Sequence, residues 1–303
     1  MNGPERRIEE FLSLTSPARA PYKHTRHMSP IRRIQQEHGI VGREAELTLA
    51  LAVLQADRHL LLEGPVGVGK TTVALAVCRH LGRPTIRVDG DDRYTESKLT
   101  GWFDPALVLK QGYQPAAFVE GPIVQAMRRG AVLFINELNR MPESVQNVLL
   151  PALDERFLIL PQVGEVRAAP GFQVLATQNP VEYVATGHLS EALKDRFEHV
   201  ALAYQSADEE RAIVVAQAGE ADAGLVREAV AIVRETRVHP KFRKGASVRA
   251  AIAMVAIARR LSGPDALRRA AVAALTTRVE LRDDAETSLD TVLAEILDAL
   301  KKK

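Results

Sequence analysis

Eight consecutive residues, Gly-Pro-Val-Gly-Val-Gly-Lys-Thr at positions 64–71, have the types and the spacing needed to hold a phosphate group. Glycines let the backbone point its N–H groups at an anion, and a helix that begins near Lys70 would direct its positive end to the same place. The pattern predicts that Lys70 reaches the β- and γ-phosphates of ATP and that the Thr71 hydroxyl binds Mg²⁺. The candidate contact residues are Gly64, Pro65, Val66, Gly67, Val68, Gly69, Lys70, Thr71 and Thr72.

A second group of candidate residues follows the apolar run Ala131–Ile135. Carboxylates at the carboxyl end of a buried strand beside a phosphate loop handle Mg²⁺ and water, and Glu137 is the candidate to orient the attacking water. Asn136 is the candidate for contact with Mg²⁺, although an amide accepts a hydrogen bond without bringing a negative charge. We expect Asn136 to weaken metal binding and to slow turnover while the nucleotide site is retained. The alternative for Glu137 is an ordinary exposed or capping acid.

These residues need elements that bring them to one edge of a sheet. Five short apolar runs, continuous rather than alternating, predict strands covered on both faces. Helical patterns separate most of the runs, which is typical of an α/β fold with a largely parallel sheet. The predicted strands are His59–Glu63, Thr85–Val88, Ala131–Asn136, Phe172–Thr177 and His199–Leu202.

The pattern changes near residue 205. Strand signals largely stop there, and Ser206 followed by Glu209 forms a capping box that opens the first of several helices. We therefore expect a nucleotide-binding core over residues 37–204 and an all-helical unit over residues 205–303. Residues 1–36 are interrupted by prolines and rich in basic side chains, and they are predicted either as an arm on the surface or on a neighbouring subunit, or as a disordered tail.

The composition is that of an ordinary globular protein, with 46% hydrophobic and 26% charged residues. A net charge of +2 gives no strong attraction to nucleic acid or membranes. The single cysteine, Cys78, excludes an internal disulfide and lies in an apolar helical stretch, where it is expected to pack. The sequence has no apolar run near the roughly 20 residues of a membrane helix and no apolar signal core at its N-terminus, so we expect a cytoplasmic protein without transmembrane segments.

Four further motifs accompany the phosphate loop, and together they resemble the MoxR-type AAA+ ATPases. They are INELNR at 135–140, ATQNP at 176–180, LKDRF at 193–197 and GASVRA at 245–250. Their order and spacing match the family from about Ile40 to Arg282, roughly four-fifths of the chain. The resemblance implies an α/β fold, an AAA+ αβα core with a parallel sheet, followed by a C-terminal all-helical lid domain.

The resemblance also implies catalytic roles. Asn179 matches the sensor 1 asparagine, which contacts the γ-phosphate or the attacking water, and the alternative is a loop-capping side chain. Arg196 matches the arginine finger offered to the ATP of a neighbouring subunit, worth about 10³–10⁵ in rate, and the alternative is a surface ion pair. Arg249 matches the sensor 2 arginine at the start of a lid helix.

Three further positions follow from the same resemblance. Val41 and Gly42 lie where the family places adenine against the backbone, and Arg140 is a second candidate charge near the subunit boundary. The usual Asp-Glu pair of the family is Asn136-Glu137 here, which puts the metal contact in question. The change of GASPRA to GASVRA is expected to be harmless.

Two insertions are expected to bear on function. Residues Thr100–Gly121 form a candidate insert with four aromatic side chains, Trp102, Phe103, Tyr113 and Phe118. These aromatics are predicted either to touch a client protein or the pore of a ring, or to pack the insert onto its own domain. Phe157–Val166 is a candidate hairpin that serves a similar contact or plain structural support.

The resemblance implies a hexameric ring that uses ATP and Mg²⁺ to remodel a client protein. MoxR-like proteins often help to insert metal cofactors, frequently with a partner that carries a von Willebrand factor A domain. Maturation of a molybdenum-containing CO dehydrogenase is one such path. The alternatives are a nucleotide-binding switch that hydrolyses poorly, a magnesium-chelatase-like motor subunit and a nucleic-acid motor, and the small net charge argues against the last.

Overall fold

The computed structural model describes residues 28–179, 189–219, 222–284 and 287–301. The strands are β1 (His59–Glu63), β2 (Thr85–Asp89), β3 (Gly101–Phe103), β4 (Phe118–Glu120), β5 (Val132–Asn136), β6 (Phe157–Leu160), β7 (Gly164–Arg167), β8 (Gln173–Gln178), β9 (Phe197–Ala201), β10 (Phe242–Lys244) and β11 (Glu280–Leu281). The helices are α1 (Pro30–His38), α2 (Glu44–Gln55), α3 (Lys70–His80), α4 (Glu96–Thr100), α5 (Pro105–Gln111), α6 (Pro122–Arg129), α7 (Glu143–Asn147), α8 (Leu149–Asp154), α9 (Glu191–Lys194), α10 (Ala207–Ala218), α11 (Ala223–Thr236), α12 (Val248–Ala258), α13 (Ala266–Leu275) and α14 (Leu289–Lys301).

The central sheet has five strands in the order β2-β5-β8-β1-β9, and every neighbouring pair is parallel. All five predicted strands are present, and no boundary differs by more than two residues, which confirms the α/β prediction. Because the strands are parallel, their carboxyl ends lie at one edge. The phosphate loop follows β1 there, and Asp89, Asn136 and Asn179 lie at or just beyond the ends of β2, β5 and β8.

Each face of the sheet carries its own apolar core. Leu60, Leu62 and Phe134 point to one face and pack with residues of α1, α2 and α3, among them the buried Cys78. The alternate residues of the same strands, such as Leu133 and Ile135, point to the other face and pack with α6, α7 and α8. A sheet covered on both faces explains why the strands read as continuous apolar runs.

Helix α1 differs from the predicted arm. The first 27 residues lie outside the described residues, but the chain becomes helical at Pro30, where a fixed φ suits the first turn. The Ser29 hydroxyl accepts a hydrogen bond from the Arg32 N–H at 3.3 Å, and Gly39 ends the helix with φ 61°. Ile34 is fully buried against the core, so the end of the predicted arm packs on the core.

The C-terminal unit is built from α10 to α14 around a third apolar core. The predicted capping box is present, since the Ser206 Oγ accepts from the Glu209 N–H and the Glu209 carboxylate accepts from the Ser206 N–H. The prediction of an all-helical unit needs a correction. β10 and β11 form a short antiparallel ladder with Phe242 opposite Leu281, and strands of two or three residues leave no periodic signal.

The two predicted insertions take defined shapes. β3 and β4 pair antiparallel and enclose α5, and the Phe103 ring contacts Tyr113 and Phe118 at centroid distances of 5.1 and 5.2 Å. Phe118 also packs against the apolar core of the domain, which supports the interpretation that aromatics pack the insert onto its own domain. Trp102 is 48% exposed. β6 and β7 form the antiparallel hairpin expected near residues 157–166.

None of the helices within the described ranges has the combination of length and apolar character that spanning a bilayer requires.

Candidate nucleotide site

The phosphate loop turns between β1 and α3, and two of its glycines have backbone angles that side chains rarely adopt. Gly67 has φ 81° and Gly69 has φ 96°. Lys70, which is 8% exposed, donates from its Nζ to Gly64 O at 2.5 Å, Pro65 O at 2.8 Å and Asn179 Oδ1 at 2.7 Å. The ammonium group therefore joins the loop to the end of β8, where the sensor 1 asparagine was predicted.

A buried arginine that the sequence reasoning missed supports the loop from outside. Arg43 donates from its Nη2 to Val68 O at 3.0 Å and to Ala203 O at 2.7 Å. Its Nη1 pairs with Glu46 at 2.6 Å. Arg43 thus ties the loop to the segment that follows β9. The available signal was its position directly after Val41-Gly42, in a motif expected at the nucleotide.

Asn136 is the centre of a polar network at the end of β5. Its Oδ1 accepts hydrogen bonds from the hydroxyl groups of Thr71 and Thr177, each at 3.0 Å. Its Nδ2 donates to Asp89 Oδ1 at 2.9 Å. The structure therefore brings together the predicted metal residues Thr71 and Asn136 and adds two partners, Thr177 and Asp89, that the sequence reasoning missed.

Asp89 reaches Asn136 because β2 lies beside β5 with these two residues in register. The backbone strengthens the approach, since the Gly90 N–H donates to Asn136 O at 2.7 Å. Arg87 Nη2 lies 2.7 Å from Asp89 Oδ1, and this guanidinium lowers the pKa of the Asp89 carboxyl. The sequence signal was a carboxylate directly after a predicted strand, but the strand order that places it here is a tertiary property.

Glu137 stands at the turn that follows β5, with φ 60° and ψ 52°. Its N–H donates to Thr177 Oγ1 at 2.9 Å, which fixes the backbone of this strained residue. Its carboxylate pairs with Arg140 Nη1 at 3.0 Å, and the bond to Glu137 raises the pKa of Arg140. Arg140, predicted near a subunit boundary, is placed beside the candidate base of its own subunit.

The donor atoms around Thr71 fit Mg²⁺. They are hydroxyl, amide and carboxylate oxygens, the hard ligands that this ion prefers, and Mg²⁺ usually binds through one or two protein groups, waters and phosphates. The Thr71 hydroxyl donates its proton to Asn136, so its oxygen lone pairs are directed elsewhere. Within the described residues there is no group of three or more His, Cys, Asp and Glu side chains suited to a metal cage.

A cavity beside the loop joins the core to the lid. Its wall includes Val41, Thr72, Gln205, Ile252 and Arg249, together with residues 67–69 of the phosphate loop. Gln205 Nε2 donates to Val41 O at 2.6 Å. This mixed apolar and polar cavity is where the resemblance places adenine.

The start of α12 lies directly over the phosphate loop. A Cβ added to Gly67 would come within 2.3 Å of Ser247 Oγ and 3.7 Å of Arg249 Cδ. Arg249 lines the phosphate pocket together with Lys70, Asn136 and Glu137. The structure therefore brings the predicted sensor 2 arginine to the phosphate side of the site, within the same subunit.

Gly42 and Arg196 are placed differently. Gly42 has φ 64° and a close neighbour in Glu209, and its carbonyl accepts from Gln35 Nε2 at 2.7 Å. Arg196 precedes β9 and lies beside His59 at the amino end of β1, opposite the phosphate loop. Its Nε donates to Asp154 Oδ2 at 2.6 Å. Arg196 is therefore not brought to the nucleotide site of its own subunit.

Comparisons with known proteins agree with this arrangement. A family model described as AAA domain (dynein-related subfamily) matches residues 59–197. An uncharacterised protein of Staphylococcus epidermidis is 33% identical over 210 residues, spanning 67% of this chain and 79% of that protein. The gas vesicle ATPase GvpN2 of Halobacterium salinarum is 32% identical over 263 residues, spanning 81% of this chain and 76% of that protein.

A likeness among solved structures concerns the fold alone. A RuvB mutant of Thermotoga maritima superposes with a TM-score of 0.50 at 18% identity, over 87% of this chain and 72% of that chain. The parallel sheet, the phosphate loop and the helical lid thus define a nucleotide-binding AAA+ protein. The chain belongs to the MoxR-type AAA+ ATPases, and its enzymatic activity is the hydrolysis of ATP.

Proposed function

We propose that the chain is a remodelling chaperone that assembles into a hexameric ring and uses ATP and Mg²⁺ to change the conformation of a client protein. The observation that carries this proposal is the position of Arg196. His59, which lies beside Arg196, and Gly64 are five residue steps apart along β1, which is about 16 Å of extended chain. An arginine at that distance serves catalysis only in the site of a neighbouring subunit.

The other site residues have roles within one subunit. Lys70 and Arg249 neutralise the phosphate groups, Glu137 polarises the attacking water, and Asn179 orients it or contacts the γ-phosphate. Mg²⁺, when bound, would be held by Thr71 and by water on Asn136, and it would neutralise charge on the β- and γ-oxygens. Loss of the γ-phosphate would release Arg249, and the lid would then rotate on the core.

The nature of the work follows from the family resemblance. A MoxR-type ring would act on a client protein, with insertion of a metal cofactor into a metalloenzyme as one outcome and a protein with a von Willebrand factor A domain as a partner. Trp102 and Leu109 on the insert, 48% and 89% exposed, offer apolar surface for a protein contact. We place this work in the cytoplasm and without nucleic acid as a substrate.

The proposal that two neighbouring subunits form each ATP site is tested by mixing two inactive variants. Lys70→Ala abolishes nucleotide binding in its own subunit, and Arg196→Ala removes the finger from the next site. In mixed rings the phosphate loop of one variant meets the finger of the other, so ATP hydrolysis should return to a measurable fraction of the wild-type rate. The matched control is Arg58→Ala, which removes a neighbouring exposed arginine and should not reduce hydrolysis.

The proposal is wrong if ATP hydrolysis does not return when the two variants are mixed. Sedimentation with a non-hydrolysable ATP analogue gives the number of subunits, and a monomer in that state would also overturn the ring. A second candidate function, a nucleotide switch with little hydrolysis, is favoured by the missing carboxylate at position 136. It requires that the wild type and Glu137→Gln release phosphate equally slowly.

A further inference from the structure

The negative charge missing at position 136 is present one strand away. Asn136 stands where a carboxylate is usual at the end of β5, and Asp89 stands at the same level of β2, paired with it in register. The amide nitrogen of Asn136 lies 2.9 Å from Asp89 Oδ1. The two side chains therefore form one unit of net charge −1 beside Thr71.

The orientation of the Asn136 amide is determined by its partners. The Asp89 carboxylate only accepts hydrogen bonds, so the amide atom that faces it must be the NH₂ group. The other amide atom is then the carbonyl oxygen, and the hydroxyl groups of Thr71 and Thr177, which can donate or accept, both donate to it. Arg87 Nη2 donates at 2.7 Å to the same Asp89 Oδ1, and Arg87 Nε donates to Oδ2 at 3.2 Å, so the guanidinium fixes the orientation of the carboxylate.

This arrangement has an electrostatic consequence. A hydrogen bond to a carboxylate polarises the amide, and polarised groups in a chain strengthen one another, so the Asn136 oxygen becomes a better acceptor. We infer that Asp89 supplies, through the amide of Asn136, the negative charge on the metal side of the nucleotide site. Asp89 is a positioning residue in this scheme, since it acts through Asn136.

The scheme also explains why position 136 holds an amide. A carboxylate introduced there would face the Asp89 carboxylate at about 3 Å, and two carboxylates at that distance resist simultaneous ionisation. Exchanging the two residue types between the strands would keep the hydrogen bonds around position 136. The carboxylate then on β5 would accept from both threonine hydroxyls and from the amide NH₂ group then on β2, and the charge would move to the usual strand. The amide oxygen at position 89 would still accept from Arg87 Nε, while the bond from Arg87 Nη2 would be lost.

The inference rests on the nucleotide and Mg²⁺ site proposed above, and the exchange of residues tests it. The variants are Asp89→Asn, Asn136→Asp and the double exchange Asp89→Asn/Asn136→Asp, with the full chain in each case. The first measurement is the Mg²⁺ concentration that half-saturates binding of a fluorescent, non-hydrolysable ATP analogue. We expect Asp89→Asn to raise it about tenfold, and the double exchange to return it to within about twofold of wild type.

The second measurement needs no metal or nucleotide. Thermal unfolding of the apo protein should show Asn136→Asp melting roughly 2–4 °C below wild type because of the facing carboxylates. The double exchange should recover most of that loss, because the ion pair with Arg87 that it removes is exposed and contributes little. Glu96→Gln removes one exposed negative charge from the first turn of α4 and serves as the matched control. It should change neither the half-saturating Mg²⁺ concentration nor the melting temperature.

An unchanged Mg²⁺ requirement in Asp89→Asn would overturn the inference, and so would a double exchange no better than that single variant. Failure of the underlying site looks different. If wild-type protein binds the analogue without any dependence on Mg²⁺, the metal assignment itself is wrong and the comparison between variants has no bearing on it.

Discussion

At the scale of single residues, Glu137 is the proposed base, and in that proposal turnover depends on its carboxylate. Replacement by Gln keeps the shape and the acceptor for Arg140 while removing the base. Glu137→Gln is expected to lower the rate of phosphate release by about 10²–10⁴-fold and to leave the affinity for ATP unchanged. Glu143→Gln, an exposed acid at the start of α7, is the control and should keep the wild-type rate. Equal loss of affinity and rate in Glu137→Gln would assign Glu137 to binding instead.

His59 gives the fold a pH dependence. Its ring is 8% exposed, its Nδ1 accepts from the Val174 N–H at 3.0 Å, and burial lowers its pKa from 6.5 to about 4. The unfolded chain therefore binds the proton more tightly than the folded protein does. The stability that the neutral His59 ring contributes is fully present above pH 6.5 and is lost as the pH falls from 6.5 toward 4. At pH 4.5 the loss from this group is about 2.5 kcal/mol.

The measurement is urea unfolding of wild type and His59→Gln at pH 7 and pH 4.5. The variant starts from a lower stability because it loses ring contacts, but its loss between the two pH values should be smaller than that of wild type. His199→Gln, at a half-exposed position, should behave as wild type. An identical pH loss in His59→Gln and wild type would show that other groups carry the dependence.

The sequence allowed prediction of those site residues that belong to a local motif. It did not allow prediction of those that reach the site only because of the strand order. Lys70, Thr71 and Glu137 follow directly from the loop and from an apolar run. Asp89 and Thr177 become part of the site only because β2 and β8 both lie beside β5. Nothing in a single sequence states that order.

At the scale of elements, the contact between the phosphate loop and the start of α12 leaves no room for a side chain at position 67. Alanine there would carry a positive φ and would strike Ser247 at 2.3–2.6 Å, which pushes Arg249 away from the phosphates. Gly67→Ala should weaken nucleotide binding about tenfold or more, measured by titration of a fluorescent ATP analogue.

A second change separates the contact from the strain of the backbone. Gly67→Ala/Ser247→Gly removes the contacting side chain and should recover part of the lost affinity. Gly82→Ala is the control for strain alone, because it has φ 63° and a Cβ there would meet no described atom within 4 Å. If the double variant binds no better than Gly67→Ala, the lid contact is not the cause.

The elements themselves were predictable to the extent that they carry a period. The central strands and the lid helices are long and apolar enough to be recognised. β10 and β11 are too short to show a period. α1 was not predictable because Pro30 interrupts the helical pattern on paper, although it is the first residue of the helix.

At the scale of the whole molecule, an ionic cluster around the buried Glu210 carboxylate lies where the lid meets the core. The Glu210 carboxylate, with its side chain 3% exposed, pairs with Arg234 at 3.1 Å and Arg237 at 2.7 Å. Arg234 also donates to Gln205 O at 3.0 Å, and the Arg237 guanidinium lies 3.8 Å from the centre of the Tyr204 ring. The cluster therefore spans the junction at which the lid would rotate.

Removing the charge of Glu210 should leave two arginines without their common partner. We expect Glu210→Gln to reduce the free energy of unfolding by about 2–3 kcal/mol, measured by urea denaturation. The control Asp208→Asn breaks an exposed pair with Arg211 and should change it by less than about 0.5 kcal/mol. Equal, small effects in both variants would show that the cluster contributes little to the junction.

The separation of Arg196 from the phosphate loop has a genetic consequence. In a ring with shared sites, a subunit that lacks both Lys70 and Arg196 disables its own site and the next one. Co-expressed in equal amounts with normal subunits, it leaves roughly a quarter of the sites complete instead of half. An allele carrying both changes would therefore be dominant over the normal copy, and more strongly so than an allele carrying either change alone.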